Sequence, residues 1–255
     1  MIPKAALVAL GFAAALGAGA AAAWLLGRAE HAPSRPERIP PRIGPAAGSI
    51  AGVVRWTGPV PVRRSHPVTR DPAACGAFGP EEELLVGRNG ELENALVSVE
   101  GIADGHRFPA PPYPIALDVA GRLFRERVTV VPAGSQLEVR NGDTILHNAH
   151  FNALRNRSEN FAIPAGMAQL HSVRTPETIE VTCDIHRDRG VAAYVIVRDD
   201  PYFSLTEADG HFVIRDVPPG RRRVRVWHER LGSIAREVDV AAGAETTLYW
   251  EVAPR

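Results

Sequence analysis

Several scarcities narrow the field before any motif is read. The 255-residue chain has only two cysteines, two methionines and 6% aromatic residues. It has no net charge, because 29 basic and 29 acidic side chains cancel. No global field therefore draws it to nucleic acid or to anionic lipid. No long segment repeats its apolar residues with a period near 3.6, which argues against a helical body. A Gly-rich phosphate loop and an HExxH pair are both missing, so nucleotide and zinc-protease chemistry of those kinds have no footing. What is plentiful is turn material, 23 glycines and 22 prolines. That composition suits many short strands joined by turns, and the length suffices to bury a core.

The N-terminus differs from the rest. Ala5 to Leu26 is an uninterrupted run of 22 apolar and small residues, with Lys4 before it and Arg28 after it. About 20 helical residues span the hydrocarbon core of a bilayer. Residues 1–28 thus read as a transmembrane signal-anchor, Trp24 serving as an interfacial anchor, with a cleaved secretory signal as the other reading. No cysteine lies nearby, which excludes a lipoprotein anchor. Arg28, Arg35, Arg38 and Arg42 follow the span, and by the positive-inside rule alone they favour a cytoplasmic body. Export is preferred because it fits the chemistry below. It implies a periplasmic or otherwise extracytoplasmic body, anchored to the inner membrane or secreted if cleaved. Residues 29–48, with prolines at 33, 36, 40, 41 and 45, form an extended linker.

From Gly48 onward the pattern is all-β. Ile50, Val54 and Trp56 share one face of "GSIAGVVRW". Asn89-Gly90 between apolar runs is a hairpin signal. Leu137 and Val139 alternate with polar neighbours, and Ile179, Val181 and Cys183 alternate in "TIEVTC". "VAAYVIVRD" reads as a central strand buried on both sides. A helical turn is expected only near Pro80 to Glu83. These features predict an antiparallel β-sandwich over 49–198. A second, smaller sandwich over 199–255 follows, with turns at Asp209-Gly210 and Pro218-Pro219-Gly220, and with Val224 and Val226 facing inward.

Two short stretches carry chemistry. "TILHNAHF" holds His147 and His150, and "VTCDIHRDRG" holds Cys183 and His186. Ligands on loops that meet at one end of a sandwich can converge although far apart in sequence. Two imidazoles and one thiolate form the trigonal set of a blue-copper centre, completed by a long, weak axial ligand. Four N/S ligands in a tetrahedron read equally as structural zinc. His150 decides: in the first shell it favours zinc or a red-type copper site, and pointing away it favours blue copper. A Cys–His nucleophile would need a separate base and an oxyanion loop, and neither is evident.

"LHNAH" followed by "CDIH" resembles the cupredoxin family, which includes plastocyanin and azurin. It is most similar to bacterial cupredoxin-like proteins, some of them linked to methylamine utilisation. Those carry a plastocyanin-type Greek-key domain followed by a transthyretin-like, carboxypeptidase-regulatory-like β-sandwich. The tail "DDPYFSLTEADGHFVIRDVPPGRRRVRVWHERLG" resembles theirs almost throughout. The resemblance implies a copper site on His147, Cys183 and His186, one-electron transfer rather than catalysis, and a redox partner protein. Red-copper enzymes of nitrogen metabolism are the enzymatic alternative.

The sequence also departs from that family. Arg189 stands where relatives have the axial Met, and Arg122, Glu126 and Arg127 stand at the Cys, Pro and His places of a Cys-x-Phe-x-Pro-His strand. Met167, a backbone carbonyl or His150 is left as an axial candidate, Met167 with packing as its plainer role. Cys75 matches a half-cystine whose partner place is Arg122, which leaves a lone thiol; a Cys75–Cys183 disulfide would compete with metal. Arg127, Arg187 and Arg189 would crowd the pole with positive charge, which opposes a cation but favours the Cys183 thiolate. The rival reading is a structural or interaction module with zinc or with a degenerate, metal-free site.

Overall fold

The computed structural model describes residues 46–103, 106–120, 123–186 and 192–254. The expected signal-anchor and nearly all of the linker lie outside the described residues, as do Arg122, Arg187 and Arg189. Among the described residues, no helix is long and apolar enough to cross a membrane.

The described chain is built almost wholly of strands. β1 (Gly48–Trp56), β2 (Ser65–Pro67), β3 (Phe78–Pro80) and β4 (Leu96–Glu100) come first, with one helical turn, α1 (Pro72–Cys75), between β2 and β3. Next come β5 (Ile115–Ala120), β6 (Leu123–Phe124), β7 (Val128–Pro132), β8 (Gln136–Asn141) and β9 (His147–Asn152). β10 (Glu159–Ile163), β11 (Ala168–Ser172), β12 (Glu177–Thr182) and β13 (Ala192–Arg198) follow. The last are β14 (Phe203–Leu205), β15 (His211–Val217), β16 (Gly220–His228), β17 (Gly232–Val240) and β18 (Glu245–Val252). The helical turn expected at Pro80–Glu83 forms instead at Pro72–Cys75, where a proline opens the turn.

Two sandwiches result. In one, the sheet β10-β9-β12-β13-β7 faces the sheet β11-β8-β5-β6. Phe151, Val181 and Val195 from the first meet Leu117, Leu137 and Val139 from the second. In the other, the sheet β14-β4-β16-β17 faces β15-β1-β18, with Val97, Val224 and Val226 meeting Ile50, Ile214 and Trp250. Val224 and Val226 point inward as the alternation requires. A small third core of Leu96, Phe108, Val128, Val130, Ile196 and Phe203 joins the two sandwiches. It explains the unbroken apolar run of β13. Val195 and Val197 serve the first core while Ile196 serves the joint.

The sheets do not divide where the sequence suggested, at 198/199. β1 pairs in parallel with β18 and antiparallel with β15, so it is the central strand of its sheet. β4 lies between β14 and β16. The physical reason is coverage. β14–β18 alone leave both sheets short of an inner strand, and the apolar faces of β1 and β4 supply them. Residues 101–202, which contain all of the first sandwich, are therefore an insertion into the second. Asn89-Gly90 does make a turn, closed by an isolated Val86–Leu92 bridge rather than by a long hairpin. Gly90 has φ 89, and a Cβ there would fall 2.6 Å from the Trp56 carbonyl oxygen.

Candidate metal centre

Strand alternation aims the ligands. His147 opens β9 rather than sitting in a loop before it, and shares the core-facing side with Ala149 and Phe151. β12 pairs antiparallel with β9, Val181 opposite Phe151. Cys183, one residue past β12, continues the inward face of Ile179 and Val181. Both side chains thus emerge on the inner face at the same end of the sandwich, and the loop after Cys183 returns His186 to them.

Among the described residues these three form a buried cluster whose ligand atoms all lie within 4.8 Å of one another. Nδ1 of His147 is 3.7 Å from Cys183 Sγ, and Nδ1 of His186 is 3.6 Å from it. An ion about 2.3 Å from sulfur and about 2.0–2.1 Å from nitrogen, at a trigonal to tetrahedral angle, sets S···N at about 3.6–3.8 Å. The cluster has that spacing. The two rings are tilted, with centroids 4.6 Å apart, and both side chains are fully buried.

The outer nitrogens are also engaged. His147 Nε2 lies 2.8 Å from Asp143 Oδ2, and His186 Nε2 lies 3.1 Å from Asp71 Oδ2. Donation of Nε2–H to a carboxylate leaves each Nδ1 lone pair facing the sulfur. Three electron-pair donors then converge in a buried pocket, an arrangement that repels itself unless a cation or protons stand between them. Asn148 Oδ1 braces the sulfur side, accepting from Cys183 Sγ at 3.4 Å and from the Ile185 N–H at 3.1 Å.

The electrostatics agree. Burial alone would raise the Cys183 pKa, but hydrogen bonds from His147, the Asn148 backbone and His186 outweigh it and bring the pKa down to about 6. Burial disfavours charge on His147, yet Cys183 and Asp143 raise its pKa above the usual imidazole value. Hard carboxylates stay outside the donor set, which pairs a soft thiolate with two imidazoles and so suits copper or zinc.

Two of the remaining expected site residues, His150 and Arg127, bond away from the cluster. His150 is on the opposite face of β9, half-buried, with Nδ1 3.0 Å from Asp184 Oδ2. Asp184 also accepts from Asn160 Nδ2 at 2.7 Å. Met167 is 59% exposed, in the turn before β11. Arg127 does not crowd the cluster. It lies buried against Glu229 of the other sandwich, its Nη2 donating to Oε2 at 2.7 Å. Cys75 and Cys183 are separate buried thiols with no disulfide between them. His228 is buried too, and burial first of all lowers its pKa to about 4.

Sequence reasoning missed Asp71, Asp143 and Asn148. Asp143, four residues before His147 on a turn, carried a readable local signal. Asp71 stands 115 residues before its partner and carried none.

No family model matches the chain, and no curated protein matches it. Among solved structures it is similar to a copper-containing nitrite reductase from Thermus scotoductus, at 18% identity and TM-score 0.32, over 39% of this chain and 25% of the reductase. The chain thus spans about a quarter of that enzyme's length. A reduced amicyanin variant gives 18% identity and TM-score 0.31, over 40% of this chain and 98% of the amicyanin. A purple cupredoxin from Nitrosopumilus maritimus gives 16% and 0.26, over 30% of this chain and 82% of that one. Such identities and scores transfer neither a ligand nor an activity.

Proposed function

We propose that this chain is an exported, cupredoxin-like copper protein that carries one electron at a time. The observation behind the proposal is the convergence of two buried Nδ1 atoms and one thiol of lowered pKa within 4.8 Å, with His150 turned away to Asp184. A copper ion held there would supply a reversible one-electron couple. His147 and His186 would hold it through Nδ1 and Cys183 through its thiolate. Asp143 and Asp71 fix the two rings, and Asn148 restrains the loop of Cys183. The sheets under His147 and Cys183 limit movement of the donors, which keeps reorganisation small.

Zinc is the alternative ion. A structural zinc site takes four protein ligands, and among the described residues this cluster presents three. That favours copper of the His2Cys kind. The apolar run at 5–26 supports a membrane-anchored, periplasmic or extracytoplasmic setting, with an unidentified redox partner protein. The second sandwich serves as a spacer or docking module, in the manner of a carboxypeptidase-regulatory-like domain.

The test is the visible spectrum of copper-loaded protein. An intense absorption in the yellow-orange that disappears in Cys183→Ser is expected. Colourless protein that retains zinc instead would establish a structural site. No retained metal, with Cys183→Ser behaving like wild type, would establish a metal-free module.

A further inference from the structure

The two carboxylates on the outer nitrogens reach the cluster by different routes. Asp143 lies on the same turn as His147, where its own backbone N–H donates to Asn141 Oδ1 at 2.9 Å. Asp71 belongs to the excursion between β1 and β4, strands of the other sandwich. That excursion is fastened to the ligand loop twice. Asp71 Oδ2 meets His186 Nε2 at 3.1 Å, and Arg70 Nη1 donates to the Ile185 carbonyl at 3.4 Å.

The backbone there is built for the contact. Asp71 has φ 50, a left-handed conformation uncommon outside glycine. Its carbonyl accepts from the N–H groups of Ala74 and Cys75 at 3.0 and 2.9 Å, so α1 winds directly from it. The His186 side chain is 0% exposed and that of Asp71 is 48% exposed. Asp71 therefore stands between the buried ring and water.

We propose that Asp71 is the positioning residue of His186. By accepting Nε2–H it selects the tautomer that leaves Nδ1 for the ion, and the segment that carries it latches the solvent side of the cluster. The part that concerns the ion rests on the metal-binding function above; the tautomer assignment does not.

Two measurements test this. In metal-free protein carrying Cys183→Ser, where no thiolate competes for the ring proton, nitrogen NMR at alkaline pH of the His186 ring with Asp71 intact is expected to show the Nε2–H tautomer. Asp71→Ala should shift it to a mixture, and Asp71→Asn, which keeps an accepting oxygen, should restore it. In copper-loaded protein, loss of the ion to a chelator should be about 10–100-fold faster in Asp71→Ala and close to wild type in Asp71→Asn. A ring that remains Nε2–H in Asp71→Ala, or a chelator rate unchanged by that substitution, would overturn the role. Should wild type bind no copper at all, the electron-carrier function fails while the metal-free measurement still decides Asp71.

Discussion

The sulfur of Cys183 is where burial and hydrogen bonding oppose each other most directly. Burial favours the neutral thiol, while two imidazoles and the backbone amides of Asn148 and His186 favour the thiolate, and the balance leaves a pKa of about 6. An ordinary thiol titrates at about 8.5. In metal-free protein the thiolate absorbance in the ultraviolet should thus rise with a midpoint near pH 6, and His147→Ala should move that midpoint upward. Because the folded pKa is depressed, the stability Cys183 contributes is fully present above the ordinary thiol range and is lost as pH falls through about 6. The raised pKa of His147 has the opposite sign, contributing below the ordinary imidazole value and fading as pH rises through the folded one. The stability gap between wild type and Cys183→Ser should accordingly shrink between about pH 8.5 and pH 6. A gap independent of pH would show that the sulfur carries no extra charge in the folded state.

At the scale of elements, the end of the first sandwich away from the cluster has its own fastening. After β9 the chain turns, and the Glu177 carboxylate accepts from the N–H groups of Leu154, Arg155 and Asn156 at 2.6–3.1 Å. Asn156 Oδ1 in turn accepts from the N–H groups of Arg174 and Thr175 at 2.7 and 2.9 Å. Asn156→Ala removes that second pair and should cost about 1–3 kcal/mol by denaturant titration. The visible spectrum of copper-loaded protein, if the proposed site binds it, should stay unchanged, since β9 and β12 keep their register at the other end. A changed spectrum would mean that the two ends are not mechanically separate. Strands of this kind were readable one at a time, because alternation in "TIEVTC" and the double-sided apolar run of β13 depend on neighbours in sequence. Cys183 was readable for the same reason, whereas His147 stood out only through the "LHNAH" motif and was expected in a loop, not at the start of β9. What was not readable was which strand pairs with which. The β1–β18 ladder joins residues about 200 apart, and nothing local announces it.

For the whole molecule, the joint between sandwiches holds a buried ion pair. Arg127 and Glu229 are about 93% and 96% buried and bond through two nitrogens and two oxygens. Tyr194 meets Trp227 edge-on nearby, at 5.6 Å between centroids. Arg127→Ala strands a buried carboxylate and should cost about 3–5 kcal/mol, whereas the apolar pair Arg127→Met with Glu229→Leu should recover most of that loss. A single substitution within about 1 kcal/mol of wild type, measured by chemical denaturation, would show that the joint opens to water. Arg127 also shows why a motif departure misleads when read alone. At the place of a family histidine it looked like a charge aimed at the metal, and its partner lies 102 residues away in the other sandwich.

One further consequence follows from how β4 and β14 lie side by side, Phe203 opposite Ser98. The polypeptide leaves the host sheet and comes back to it on neighbouring strands, about 4.8 Å apart. Everything between is topologically a cassette, and a short turn across the gap would let the host ladder close without a change of register. Excision would strip the cover from Leu96, Phe203 and Trp227, so wetted surface rather than loop closure would dominate its cost. The inheritance of the centre is thereby split. All three donor atoms would travel with the cassette, and Asp71 would stay behind.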